Sequence, residues 1–180
     1  MNQLAKFGII LGIICLAATL VLALTYEVTK PKIEEQLKRE EQAALKEILP
    51  DASSFAPKTA GGIEYFDAMK DGALVGYCVK VTGSGYSGYM RMIVGIDTKG
   101  VIKGVSILEH QETPGLGSRI NESAPGEKAP YFLRQFRGKP AKTVAIGRDV
   151  DAITGATISS KAVTDAINKT VSEFLDKVKP

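Results

Sequence analysis

The run from Phe7 to Leu24 holds eighteen consecutive residues without a charge, and a stretch of that kind restricts the fold more than any other feature of the chain. As a helix it extends about 27 Å at 1.5 Å per residue, close to the hydrocarbon thickness of a bilayer. Its Ile, Leu, Val and Phe side chains each favour insertion by about 0.3–0.6 kcal/mol, which outweighs the Gly and Thr between them. We expect a single-pass transmembrane anchor over residues 1–26, with Tyr26 at the interface, and hence a cell-membrane location. A cleaved signal peptide is the competing reading. Its apolar core would exceed the usual length of about 7–15 residues, and no clear Ala-x-Ala site follows.

Behind this leader there is room for one domain of about 150 residues, long enough to bury a core without disulfides. The net charge is only +3, and nothing resembles a nucleic-acid footprint. Cys15 and Cys78 form neither a CxxC pair nor an iron–sulfur ligand set, and His110 is the only histidine. Metal catalysis and a Ser-His-Asp arrangement are therefore poorly supported, so redox chemistry would have to come from an organic cofactor.

Residues 27–60 read as a stalk helix and linker. Thr29 can cap and Pro31 can occupy the first turn of a helix running to about Leu49, where Pro50-Asp51 ends it. Ile33, Leu37, Ala44, Leu45, Ile48 and Leu49 form its apolar stripe. Pro57, Gly61 and Gly62 mark a looser boundary before the main domain, residues 61–180. Four strands are expected there, Ile63–Ala68, Ala73–Val81, Tyr89–Asp97 and Val101–Glu109. Lys70-Asp71-Gly72 and Thr98-Lys99-Gly100 supply turns between neighbours, which suggests an antiparallel meander. The glycine-rich segment Gly83–Gly88 lacks the spacing of a P-loop or dinucleotide fingerprint, and is either a plain hairpin loop or the wall of a ligand pocket.

After the last of these strands, Pro114-Gly115 forces a turn. His110 and Glu112 either shape this loop as a polar pair or contact a ligand directly. Ala129–Phe136 reads as a short helix with Tyr131, Phe132, Leu133 and Phe136 inward. Around it Lys128, Arg134, Arg137, Lys139, Lys142 and Arg148 form the most basic stretch, either a solvated surface or a docking patch. Thr143–Ile146 reads as a further strand. A last helix from about Ser159 to Val178 presents Val163, Ile167, Val171, Phe174, Leu175 and Val178 at helical spacing. The fold class is α+β, an antiparallel sheet packed against helices.

The segment Asp151–Ser160 joins a β-like run ending near Val150 to the last helix. Thr154, Thr157, Ser159 and Ser160 place four hydroxyls at the mouth of the helix, where the first N–H groups lack intrahelical partners and the dipole favours an anion. Gly155 and Ala156 leave the backbone bare for close approach. Helix capping is the plain alternative, because Ser and Thr are common caps.

Asp151, Thr154, Gly155, Ala156 and Thr157 resemble the flavinylation motif Asp-x-x-(Ser/Thr)-Gly-Ala-(Thr/Ser). His110-Gln111-Glu112-Thr113-Pro114-Gly115-Leu116-Gly117 resembles a second signature of the same FMN-binding domain. With both motifs behind an apolar leader, the chain resembles the RnfG family, the G subunits of Rnf electron-transport complexes, which are related to the C subunit of the sodium-pumping NADH:quinone reductase. The resemblance implies FMN attached covalently through a phosphoester to Thr157, which makes the chain a phosphoprotein. A flavin transferase with FAD as donor would make this link, recognising Asp151, Thr154, Gly155, Ala156 and Thr157. It implies that Thr154, Gly155, Ala156 and Ser159 lie near the phosphate, and that Thr113, Leu116 and Gly117 form the non-covalent part of the site.

The same resemblance implies a complex that passes electrons between ferredoxin and NAD while translocating ions. The other subunits of that membrane electron-transport complex and the lipid bilayer would be the partners, with no nucleic acid. The chain would be an electron carrier without an active site of its own. The alternatives are a stand-alone FMN-anchored carrier and a non-redox tethered binding module. Lys6 and the amino terminus stand against Lys30, Lys32, Lys38 and Arg39, so charge counting alone favours a cytoplasmic domain. The resemblance implies an extracytoplasmic one.

Overall fold

The structure is a computed structural model that describes residues 3–124, 126–127 and 129–178. The chain forms two compact units that divide between Glu40 and Glu41. In the first, helix α1 runs without interruption from Gln3 and continues to Ile48 in the second. It is the one helix long and apolar enough to cross a membrane among the described residues, and its apolar side chains from Phe7 to Leu24 face outward. Thr19, Thr25 and Thr29 donate their hydroxyls to carbonyls four residues back, at 2.8, 2.8 and 2.7 Å, a contact that keeps a hydroxyl satisfied in an apolar medium. Thr29 is therefore no cap. Pro31 lies inside the helix and not in a first turn, because good helix formers on both sides carry the turns past its one missing N–H.

The second unit is built on a five-stranded antiparallel meander in sequential order: β1 Ser54–Ala60, β2 Ile63–Lys70, β3 Ala73–Ser84, β4 Tyr89–Asp97 and β5 Ile102–His110. Four of these match expectation. The fifth, β1, occupies the stretch read above as linker. Gly61 (φ 56°) and Gly62 (φ 83°) form the two-residue turn between Ala60 and Ile63, as Asp71 (φ 50°) and Gly72 (φ 81°) do between β2 and β3. Two positive φ values in succession are the requirement of a type I′ hairpin, so Gly-Gly here turns the chain and does not loosen it. Pro57 is tolerated because β1 is an edge strand.

Side chains alternate between two cores. On one face Tyr77, Val79, Val81, Met90, Met92, Val94 and Ile96 pack with Val163, Ile167, Val171, Phe174 and Leu175 of α3, Thr157–Val178. On the other face Ala68, Cys78 and Ile93 are covered by Ala44, Leu45, Ile48 and Leu49. The paired glycines Gly95 and Gly104 open a slot for this end of α1. A Cβ on Gly95 would lie 2.0 Å from the Ile48 side chain.

A 3₁₀ turn, Gly117–Asn121, and a short helix α2, Tyr131–Arg134, close the sheet edge. Helix α2 is shorter than expected. It buries Phe132 and Leu133 but leaves Tyr131 exposed, since a single helical turn directs only one side at the core. Thr143–Ile146 is not a strand; apart from one bridge between Ile146 and Val150, it pairs with no strand among the described residues. Asn168 takes its place, accepting from the Val144 N–H at 3.0 Å and donating to the Val144 carbonyl at 2.7 Å.

Candidate functional site

The loop entering α3 is held by one buried hydroxyl. Ala156 N–H donates to the Ile153 carbonyl at 2.9 Å and Gly155 sits at φ 82°, the positive value that a type II turn demands at its third residue. Ser160 is fully buried. Its Oγ accepts from Ile153 N–H at 3.1 Å and donates to the Ala156 carbonyl at 2.9 Å. The turn is thereby tied to the first turn of the helix.

Because of this, α3 starts at Thr157, two residues before the expected Ser159. The position before it is Ala156, which has no side-chain acceptor. Thr154 and Thr157 are exposed, and Ser159 and Ser160 direct their hydroxyls elsewhere. None of the four hydroxyls caps the helix among the described residues. The N–H groups of Thr157, Ile158 and Ser159 thus remain as donors with the positive end of the helix dipole behind them.

These donors border a cavity of about 390 Å³ lined by Tyr86, Glu112, Thr113, Leu116, Gly117, Gly155, Ala156, Thr157, Ile158 and Ser159. The structure therefore brings together both motifs, which lie some forty residues apart in the chain. Leu116 and Ile158 are more than half exposed at its mouth and offer apolar faces. Thr113 shares a hydrogen bond with Ser87 at 2.9 Å, and its carbonyl accepts from Leu116 and Ser118 N–H. Thr113 thus joins its own loop to the glycine-rich hairpin.

Thr154 and Asp151 fall outside this cavity. They line a neighbouring one with Arg119 and Tyr131. Arg119 donates to the Thr154 carbonyl at 3.1 Å. The Gln135 amide holds the Asp151 backbone, accepting from its N–H at 2.8 Å and donating to its carbonyl at 3.2 Å. The Asp151 side chain itself is exposed.

Sequence reasoning missed one lining residue, Ile158, and reached Tyr86 only as part of the glycine-rich segment Gly83–Gly88. Of the pair His110 and Glu112, the structure places Glu112 in the cavity wall. The glycines signal its position, since Gly85 and Gly117 close around its carboxylate. A Cβ at Gly85 would lie 1.8 Å from Oε1, and one at Gly117 would lie 2.1 Å from Oε2. The glycine-rich hairpin is thus a wall of the cavity, through Tyr86. Elsewhere, burial pushes the Cys78 thiol up to about 12, so it is inert. In the basic stretch Arg134 pairs with Glu127, Lys142 with Asp176 and Arg148 with Asp149; Lys128 lies outside the described residues. Arg148, with the Ala145 N–H, holds Asp149 below the usual carboxylate range.

Comparison with known proteins agrees with this geometry. Residues 85–172 match the model of the FMN-binding domain, and residues 1–48 match that of the RnfG N-terminal region. The G subunit of the Na(+)-translocating ferredoxin:NAD(+) oxidoreductase complex of Acetobacterium woodii is 35% identical, over 94% of this chain and 90% of its own. The chain belongs to the RnfG family. The G subunit of an ion-translocating oxidoreductase complex from Methanosarcina acetivorans is 33% identical over 94% of each chain. The fold extends to a solved structure, the C subunit of the Na(+)-translocating NADH-quinone reductase of Parabacteroides distasonis. The two superpose with a TM-score of 0.51 at 30% identity, over 66% of this chain and 63% of that one. Within the RnfG chain, the matched FMN-binding domain begins at the glycine-rich hairpin and ends in α3, so it encloses every residue lining the cavity.

Proposed function

We propose that this RnfG-family chain is a membrane-anchored electron carrier whose FMN is joined through a phosphoester to Thr157, within an ion-translocating ferredoxin:NAD+ oxidoreductase complex. The observation that carries this is the start of α3, where an exposed threonine hydroxyl and three N–H groups without a partner among the described residues open on one cavity. The residues fit the cofactor. Helix N–H groups suit a phosphate. Leu116, Ile158 and Tyr86 suit a flat aromatic ring, and the cavity volume falls in the range of small-molecule sites. FMN supplies one- and two-electron chemistry, while the chain holds and orients it and sets its surroundings.

Attachment forms the bond from Thr157 Oγ1 to the FMN phosphorus and breaks the pyrophosphate bond of FAD, so that AMP and a proton leave. A flavin transferase performs this step. Asp151 and Thr154 serve its recognition, in keeping with their exposed position beside the cavity. The domain is extracytoplasmic, and residues 1–26 anchor it.

The decisive experiment is the intact mass of the denatured protein after co-expression with a flavin transferase. Wild type should carry one FMN, and Thr157→Ala none. An adduct that persists on Thr157→Ala, or is lost only in Thr154→Ala, refutes the assignment. Orientation is tested separately: external protease should cleave the domain in intact spheroplasts, and protection until lysis would overturn the extracytoplasmic placement.

A further inference from the structure

Glu112 is the one buried acidic side chain among the described residues, 5% exposed, and it faces the cavity from beneath. Its Oε1 accepts from the Tyr86 N–H at 2.8 Å and its Oε2 from the Ser159 hydroxyl at 2.7 Å. The Tyr86 backbone N–H can only donate, so Oε1 serves as an acceptor, and Oε2 shares its contact with a hydroxyl. No ion pair reaches it among the described residues, although ten are formed elsewhere among them.

Burying a carboxylate without a cation is costly, and the chain preserves the arrangement by leaving Gly85 and Gly117 without side chains. If its only task were to join the hairpin to α3, a neutral amide would make the same two contacts without that cost. A charge retained at such a position acts on what occupies the cavity.

We propose that Glu112 is a positioning residue with two effects. It clamps the glycine-rich hairpin to the start of α3, and it holds a fixed negative charge against the bound flavin, which disfavours the added electron and lowers the reduction potential. The second effect rests on the proposed function above; the first does not. Low local dielectric makes a charge in this position count far more than one at the surface.

The test uses the full-length protein in detergent. Glu112→Gln keeps the shape and an acceptor for Tyr86 N–H, while Ser159 can turn to accept from the amide. It should retain covalent flavin and shift the midpoint potential to a more positive value. Glu112→Ala should in addition raise amide exchange at Tyr86 by roughly tenfold or more, because a charge-assisted hydrogen bond is lost; Glu112→Gln should leave that exchange near wild type. An unchanged or more negative potential in flavinylated Glu112→Gln overturns the electrostatic effect. Unchanged Tyr86 exchange in Glu112→Ala overturns the clamp. If wild type carries no flavin on Thr157, the proposed function and the electrostatic effect fall together, whereas Tyr86 exchange still decides the clamp.

Discussion

Ser160→Ala and Thr157→Ala remove the same kind of atom three residues apart, and the structure assigns them opposite consequences. Ser160 is fully buried, and its hydroxyl both accepts from Ile153 N–H and donates to the Ala156 carbonyl. Its loss leaves the part-buried Ile153 N–H without this acceptor, at a cost of about 1–3 kcal/mol. For a unit of this size that lowers the melting temperature by roughly 2–4 °C per kcal/mol. The turn that presents Thr157 also loosens, so flavinylation by limiting transferase should slow although the acceptor hydroxyl is intact. Thr157 is exposed and makes no side-chain hydrogen bond among the described residues, so its replacement should change stability by less than about 0.5 kcal/mol while abolishing the adduct. Thermal unfolding of unflavinylated proteins in detergent, paired with a time course of adduct mass, separates the two. Equal melting temperatures for the variants, or a larger drop for Thr157→Ala, would refute the reasoning.

Truncation before Glu41 should release a folded, soluble unit, whereas truncation after Leu49 should not. The second cut removes Leu45, Ile48 and Leu49 from the sheet, on the order of 5–9 kcal/mol of burial, comparable with the whole stability of a domain; size-exclusion chromatography distinguishes the outcomes. Gly95→Ala should destabilise by about 1–3 kcal/mol in urea unfolding, because its Cβ meets Ile48 at 2.0 Å. Thr113→Ala and Leu116→Ala should keep the covalent flavin but shift its absorption spectrum or potential; unchanged values in both would remove that loop from the site. Asp97 feels burial, which would raise it, but the Val101 and Lys99 N–H groups and Lys103 outweigh that and hold it below its usual value. Its contribution is therefore present above the unfolded carboxylate range and is lost as pH falls through the lower folded value. Asp97→Asn should flatten that part of the acid unfolding curve.

Much of this architecture is local, and local patterns are legible in a sequence. The apolar leader, four of the strands, the period of α3 and the two motifs each depend on residues that are neighbours along the chain or repeat at a fixed interval. Their assignment to one family follows from the same residues. Gly61-Gly62 was ambiguous only because a flexible linker and a type I′ turn favour the same residue type, and pairing with a distant strand decides between them. Tertiary structure alone settled the use of the hydroxyls near Thr157. Four similar side chains competed for one role, and their partners in the fold divided them: Glu112, remote in sequence, took Ser159, the adjoining Ile153–Ala156 turn took Ser160, and Thr154 and Thr157 were left exposed. The place of Glu112 in the cavity wall likewise depended on folding, which brings Gly85, Gly117 and Ser159 around its carboxylate. Hydrogen bonding is directional and short in range, so which hydroxyl stays free depends on what the fold brings within about 3 Å of each one.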